Sequence, residues 1–195
     1  MAETNIPKAL FFCGQKKYNE GNAGPAAGII CRPGKSKGQR GENMIRLGEI
    51  TEENWVEAAG LELEEEQKRY VASPLGILAR GYVFRDSRAR VFTVEEDGRV
   101  VGLTLVRDLD EEPAVYDLQQ LLIDRRYQNR GIGTEALRQL LALLEEERKY
   151  PAVEVCVKKE DGPALRVYEK TGFADTGYID EDAPDSLNLM HRFGE

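Results

Sequence analysis

The 195-residue chain has a single histidine, His191, and three widely spaced cysteines, Cys13, Cys31 and Cys156. One imidazole leaves no multi-histidine metal site and disfavours a serine–histidine triad. With no CxxC pair, neither a zinc site nor a disulfide framework is expected, no metal ligands stand out, and a reducing, cytoplasmic setting fits. No apolar run approaches the ~18 residues needed to cross a bilayer, so no membrane partner is expected. There is no basic excess either: 27 basic residues face 35 acidic ones, for a net charge of −8. A phosphate-backbone binder wants a basic face, so nucleic acid is not an expected partner. What remains is a globular balance of 41% hydrophobic and 32% charged residues. That suits one soluble domain burying about 70% of its unfolded surface.

The chain divides at Met44. Residues 1–43 hold seven basic against three acidic residues, net +4, leaving net −12 for 44–195. Seven of the 19 glycines also fall there. Their apolar residues follow no period of 2 or 3.6. Such a stretch cannot bury enough surface to order itself. It is expected to be a disordered extension or a non-native leader before a domain at 44–195.

From Met44 the patterns alternate. Residues 45–49 read as a strand. Thr51 can cap a helix whose first turn carries Glu52 and Glu53, with Trp55, Ala58, Ala59 and Leu63 as core contacts. Residues 64–72 continue or re-form helix, and Ser73-Pro74 opens another. Strands at 90–95 and 100–106 flank the Asp97-Gly98 turn. An acidic loop at 108–113 leads to a strand at 115–123. Ile132, Ala136, Leu137, Leu140, Leu141 and Leu144 form a helical stripe ending by Pro151. A strand at 153–157, a helix at 163–170 closed by Gly172, and strands at 174–179 and 187–192 follow. This order describes an α/β sheet of mixed sense.

The most informative stretch joins the 115–123 strand to the Ile132 helix. A polar loop runs through Gln128-Asn129-Arg130 into Gly131-Ile132-Gly133-Thr134. Glycines at a helix start let backbone N–H groups approach an anion, and the dipole adds about half a positive charge. Arg125, Arg126 and Arg130 add more. A pyrophosphate is the natural ligand. Gly131 to Ala136 also fits the dinucleotide pattern G-x-G-x-x-A, with Glu154 near the ribose position. However, seven residues separate the strand from the first glycine, and only 62 residues follow Gly133. That is too few for the further βα units a dinucleotide fold needs. No lysine and serine or threonine follow the glycines, so the Walker loop is absent.

Gln128-Asn129-Arg130-Gly131-Ile132-Gly133 resembles the Q/R-x-x-G-x-G/A motif of the GNAT superfamily of N-acetyltransferases. Residues 161–173, with Ala164, Tyr168, Lys170, Gly172 and Phe173, resemble that family's N-x-x-A-x-x-x-Y-x-K-x-G-F segment. The blocks stand one helix and one strand apart, as in the family. The stretch at 67–85 is similar to bacterial spermine/spermidine acetyltransferases. The resemblance implies a mixed, mostly antiparallel central sheet with splayed central strands flanked by helices. It implies acetyl-CoA as cosubstrate and a small-molecule amine, including a polyamine, as partner. It also admits a homodimer. Backbone amides from Gln128, Asn129, Arg130, Gly131, Ile132, Gly133 and Thr134 would hold the pyrophosphate. Leu122 and Ile123 would offer main-chain groups to the pantetheine arm. The family's asparagine is Asp161 here, which can still cap the helix.

In the chemistry this implies, Tyr168 is the general acid, because a phenol is protonated at neutral pH. Asp117, eleven residues before Gln128, stands where histone-acetylating members place a base. A solvated strand-end aspartate is the competing reading. If the strand alternates regularly, Asp117, Gln119, Leu121 and Ile123 share one face, opposite Tyr116, Leu118, Gln120 and Leu122. Gln119 and Gln120 are candidate substrate contacts, being polar in mid-strand. Cys156 reads as a buried small residue, His191 as structural and the triplet at 145–147 as a solvated face. Acetylation of a protein N-terminus or lysine, and a non-catalytic acyl-CoA sensor, are the alternative functions.

Overall fold

Seven strands form one sheet in the computed structural model, which describes residues 44–194. The expectation for residues 1–43 lies outside them. The strands are β1 (Ile45–Glu49), β2 (Arg90–Glu96), β3 (Arg99–Leu109), β4 (Val115–Ile123), β5 (Ala152–Lys158), β6 (Ala174–Asp175) and β7 (Ser186–Arg192). Their order is β1-β2-β3-β4-β5-β7-β6. Every neighbouring pair is antiparallel except β4–β5. Four helices cover the faces: α1 (Trp55–Ala59), α2 (Pro74–Val83), α3 (Ile132–Glu147) and α4 (Gly162–Lys170). The expected mixed, mostly antiparallel sheet is therefore present. No described helix is long and apolar enough to cross a membrane.

Local chemistry sets the helix ends. The Ser73 side chain accepts from Gly76 N–H ahead of Pro74, and Asp161 accepts from Ala164 N–H ahead of Pro163. Both act as N-caps. The six-residue apolar stripe of α3 is entirely buried. It packs on Tyr116, Leu118 and Val153, beside Tyr168 and Phe173. The opposite face packs Ile77 and Ala58 on Leu103, Leu105 and Leu122. Each fully buried Leu or Ile contributes about 1.5–3 kcal/mol.

Three local expectations change. Asn54, not Thr51, is the N-cap residue of α1, and its Oδ1 accepts from Thr51 N–H at 2.8 Å. Trp55 is 48% exposed and lies outside the core. The last expected strand pair shortens, because β6 keeps two residues.

The largest change is in β4. Leu105 pairs with Gln120 but Val106 with Leu118, so Gln119 is an extra residue in the ladder. Such a bulge reverses the alternation beyond it. Leu122 consequently packs with the α1–α2 face, opposite Tyr116 and Leu118, while Leu121 packs beside them.

Gly102 of β3 lies where β4 crosses closest. A Cβ there would overlap the Leu122 carbonyl oxygen and stand 2.8 Å from Ile123 Cδ1. Gly102→Ala should therefore cost about 2–3 kcal/mol by overpacking. Scanning calorimetry should find the melting temperature lowered by about 4–12 °C. A shift under one degree would mean that β4 yields freely at this point.

Candidate active site

β4 and β5 are held together by only two rungs, Tyr116 with Val153 and Asp117 with Glu154. Beyond them the strands part, while β4 stays paired to β3 and β5 to β7. The wedge opens into a cleft of about 760 Å³. Its walls come from 119–123 of β4, 155–158 of β5, the start of α3, the inner side of α4, and α2 with the chain before it. The Leu122 carbonyl lies toward Gly102 on β3. By the alternation of strand carbonyls, the wedge-side main chain thus belongs to Leu121 and Ile123. This corrects the main-chain role expected of Leu122, which is nonetheless among the residues lining the cleft.

The glycine loop is built as the sequence implies. Gly131 takes φ +80°, a conformation open to glycine, and is the N-cap of α3 with no side-chain cap. The N–H groups of Ile132, Gly133 and Thr134 start the helix and have no intrahelical acceptor. Gln128, Asn129, Gly131, Ile132, Gly133 and Thr134 all line the cleft.

The loop arginines behave differently from expectation. Arg125 pairs with Glu62 at 2.5 Å, Arg126 with Asp124 at 2.8 Å and Arg130 with Glu96 at 2.7 Å. None of the three lines the cleft. Arg130, expected among the pyrophosphate contacts, is turned to Glu96 and does not line the cleft. Positive charge in the cleft comes from elsewhere, including Lys158, Arg166 and Lys170.

Two tethers hold the loop. The Gln128 amide donates to the Ile123 carbonyl at 2.8 Å and exchanges hydrogen bonds with the Gln67 amide, at 2.8 and 3.1 Å. The Asp124 carboxylate is fully buried. It accepts from Glu62 N–H at 2.8 Å, Arg126 N–H at 2.9 Å and two guanidinium nitrogens of Arg126. Burial pushes this carboxyl up, but the Arg126 and backbone hydrogen bonds outweigh it and hold it below its ordinary value.

Tyr168, Asp117, Gln119 and Gln120 line the same cleft. Tyr168 is buried, its ring edge-on to Phe173 at 5.4 Å, and its hydroxyl makes no hydrogen bond among the described residues. Burial, followed by the charge of Asp161, raises this phenol above its ordinary range. Asp117 is only 7% exposed, so it is not a solvated strand end. Its Oδ2 accepts from Arg107 Nε at 2.8 Å and from the Gln119 amide. Burial pushes the Asp117 carboxyl up, opposed by Arg107 and Gln119. Gln120 accepts from Ala72 N–H at 2.8 Å, tying β4 to the segment before α2.

Cys156 is half-buried on β5 and lines the cleft. His191 sits between Phe173 and Phe193, consistent with a structural role. Glu147 is not a solvated face; it accepts from Tyr116 and pairs with Arg90.

The acetyltransferase (GNAT) family model matches residues 47–173. The chain belongs to this family. The L-amino acid N-acetyltransferase AaaT of Escherichia coli is 29% identical over 79 residues, 40% of this chain and 48% of that protein. The chain thus spans about half the length of that relative. The spermine/spermidine N(1)-acetyltransferase of Bacillus subtilis is 24% identical over 127 residues, 65% of this chain and 76% of that protein. The spermidine N-acetyltransferase of Vibrio cholerae, solved with CoA and spermine, superposes with a TM-score of 0.62 at 16% identity. That match covers 76% of this chain and 95% of the other.

Arg107, Gln67 and Asp124 were not singled out from the sequence. Arg107 carried a signal: it is an arginine inside an apolar run, and β3–β4 register sets it opposite Asp117. Gln67 carried none, since its partner Gln128 lies 61 residues away, while Asp124 joins a local partner, Arg126, to a distant one, the Glu62 N–H.

Asp124 gives the loop an acid sensitivity. Its folded-state pKa lies below the ordinary 3.8. Its contribution to stability is therefore complete above that value and is lost as pH falls below it, through the lower folded value. Asp124→Asn should lower the melting temperature at neutral pH, with a smaller difference from wild type in acid. Melting curves across that range check this. A difference independent of pH would remove ionised Asp124 from the loop's support.

Proposed function

We propose that the protein transfers the acetyl group of acetyl-CoA to a primary amine of a small molecule by direct attack, with Tyr168 as general acid. One observation carries this reading. The wedge between β4 and β5 joins an uncapped helix N-terminus at Gly131 to a buried phenol, Tyr168, within a single cleft.

The residues present fit acetyl-CoA. The Ile132, Gly133 and Thr134 N–H groups and the helix dipole suit a pyrophosphate, and no atom lies within 4 Å of a Cβ position at Gly131. The wedge-side main chain of Leu121 and Ile123 suits an amide-bearing arm laid alongside it, strand-fashion. When bound, the thioester supplies the activated acetyl group. As the new C–N bond forms, the C–S bond breaks. One proton leaves the amine nitrogen and one reaches the departing sulfur.

Tyr168 is suited to the second transfer, because burial keeps its phenol protonated and its hydroxyl has no competing acceptor among the described residues. Asp117 is the candidate for the first. Its Oδ1, which takes no hydrogen bond among the described residues, can accept the amine proton directly or through a water. Gln119 holds Asp117, and Gln120 positions the wall toward α2. The polyamine relatives favour a polyamine acceptor as a second reading. Thiol release from acetyl-CoA, measured with a panel of amines, tests the activity itself.

Tyr168→Phe keeps the ring and its packing. Turnover should fall about 10²–10⁴-fold, in kcat and kcat/KM alike, with acetyl-CoA affinity held. Unchanged kcat would leave water as the acid. Gly131→Val places a β-branched residue at φ near +80° and sets methyl groups against the helix start. The thermal stabilisation by acetyl-CoA should then disappear. Its survival would move the pyrophosphate away from this loop.

A further inference from the structure

We infer that Arg107 is a positioning residue of the transfer: with the Gln119 amide it occupies one oxygen of Asp117, so that the other, Oδ1, is the atom left to take the amine proton. This rests on the transferase reading above and deepens it.

Asp117 stands where the wedge begins. Its rung with Glu154 is the last that joins β4 to β5, and β4 is open to the cleft beyond it. The glycine loop lies past the other end of that open stretch, after Ile123. An arm that runs from a pyrophosphate at this loop along Ile123 and Leu121 therefore approaches Asp117 with its thioester end. Arg107, Asp117 and Gln119 all line the cleft.

The contacts on the carboxylate are one-sided. Arg107 Nε donates to Asp117 Oδ2 at 2.8 Å, and the Gln119 amide donates to the same oxygen. An arginine paired with a carboxylate commonly engages both oxygens through two parallel N–H bonds. Here donors from two residues converge on one oxygen, and Oδ1 accepts from no described residue. The strand ladder places both donors. Arg107 faces Asp117 directly across β3 and β4, while Gln119 is the bulged residue, without a partner on β3, and turns its amide back along β4. Arg107 is 3% exposed and Asp117 7%, and the ring of Phe84 stands 5.1 Å from the guanidinium. Little water is at hand to replace Arg107 as a partner.

Charge adds to aim. A buried carboxylate that loses its partner takes up a proton instead. Burial raises the Asp117 carboxyl, and Arg107, followed by Gln119, restrains the rise. Two other charged groups are placed nearby. Glu154 occupies the β5 rung beside Asp117, and Arg80 of α2 lies close enough to Arg107 to feel its charge. Both are retained in every variant below. Asp117 can accept a proton only when ionised, so loss of Arg107 moves the acid limit of activity to higher pH.

Thiol release from acetyl-CoA, followed across pH in the full chain with two amines of different basicity, tests this. The acid limb of kcat/KM that stays put between the amines belongs to the protein. Arg107→Met should move that limb up by about 1–3 pH units, the usual effect of an opposite charge at contact, and Arg107→Lys should return part of the shift. In an Asp117→Asn background, Arg107→Met should change turnover by less than about twofold, because its route to the reaction is gone. An equal loss in both backgrounds with the limb unmoved would make Arg107 merely structural and overturns the inference. So does wild-type turnover in Asp117→Asn, a near-isosteric change that decides even if Arg107→Met does not fold. The carboxyl carbon of Asp117, titrated by NMR and assigned through Asp117→Asn, reads the same shift without turnover. A titration unmoved by Arg107→Met overturns the inference. A titration that moves, with no thiol release from any amine, overturns the transferase reading alone.

Discussion

The parting of β4 and β5 after two rungs is the constraint from which the site follows. Within a sheet, backbone N–H and C=O groups are satisfied by the neighbouring strand. Where the neighbour turns away, the unpaired groups must meet solvent, a side chain or a ligand. The protein lets one side chain do part of this work: the Gln128 amide takes the Ile123 carbonyl. The rest of the wedge stays open. β4 stays paired to β3, apart from the bulge at Gln119, and β5 to β7, so each lip of the gap remains part of a ladder. The start of α3 and the inner side of α4 then fall on either side of it.

Helices and caps were legible in the sequence where the signal is local. The α3 stripe, the Ser73 and Asp161 caps and the positive-φ glycine each depend on residues within a turn of one another. Features that depend on register were not legible. The bulge at Gln119 exists because β3 and β4 differ by one residue between the same neighbours. Regular alternation was the natural assumption, and it put Leu122 on the wrong face. The Arg107–Asp117 pair is likewise visible only once the two strands are aligned. Trp55 failed for a different reason. α1 is a single turn, too short for its first residue to reach the core.

The electrostatics also differ from what composition implies. Three arginines in the loop looked like ligands for a phosphate, yet each is balanced by an acid, Asp124 within the loop itself and Glu62 and Glu96 from other segments. They shape the loop, and none of the three lines the cleft. The lysines and arginines that line the cleft come from elements with no glycine motif to mark them. A negative protein thereby encloses a positive hollow, a contrast that net charge alone conceals.

The ties that hold the glycine loop fall into two kinds, of which only one responds to ionic strength. Arg125–Glu62 is an exposed pair, and at 1 M salt the Debye length shrinks to about 3 Å, so little of its attraction survives. The clasp between Gln67 and Gln128 carries no formal charge, and neither does the Gln128 bond to Ile123. Salt has almost nothing there to screen, and no proton is gained or lost across the pH scale. The loop is thus pinned most durably at the point where the strand ends. A brine that strips its outer arginine pairing leaves that pin in place, and what such a medium takes from the loop is orientation at its rim more than its seat on the sheet.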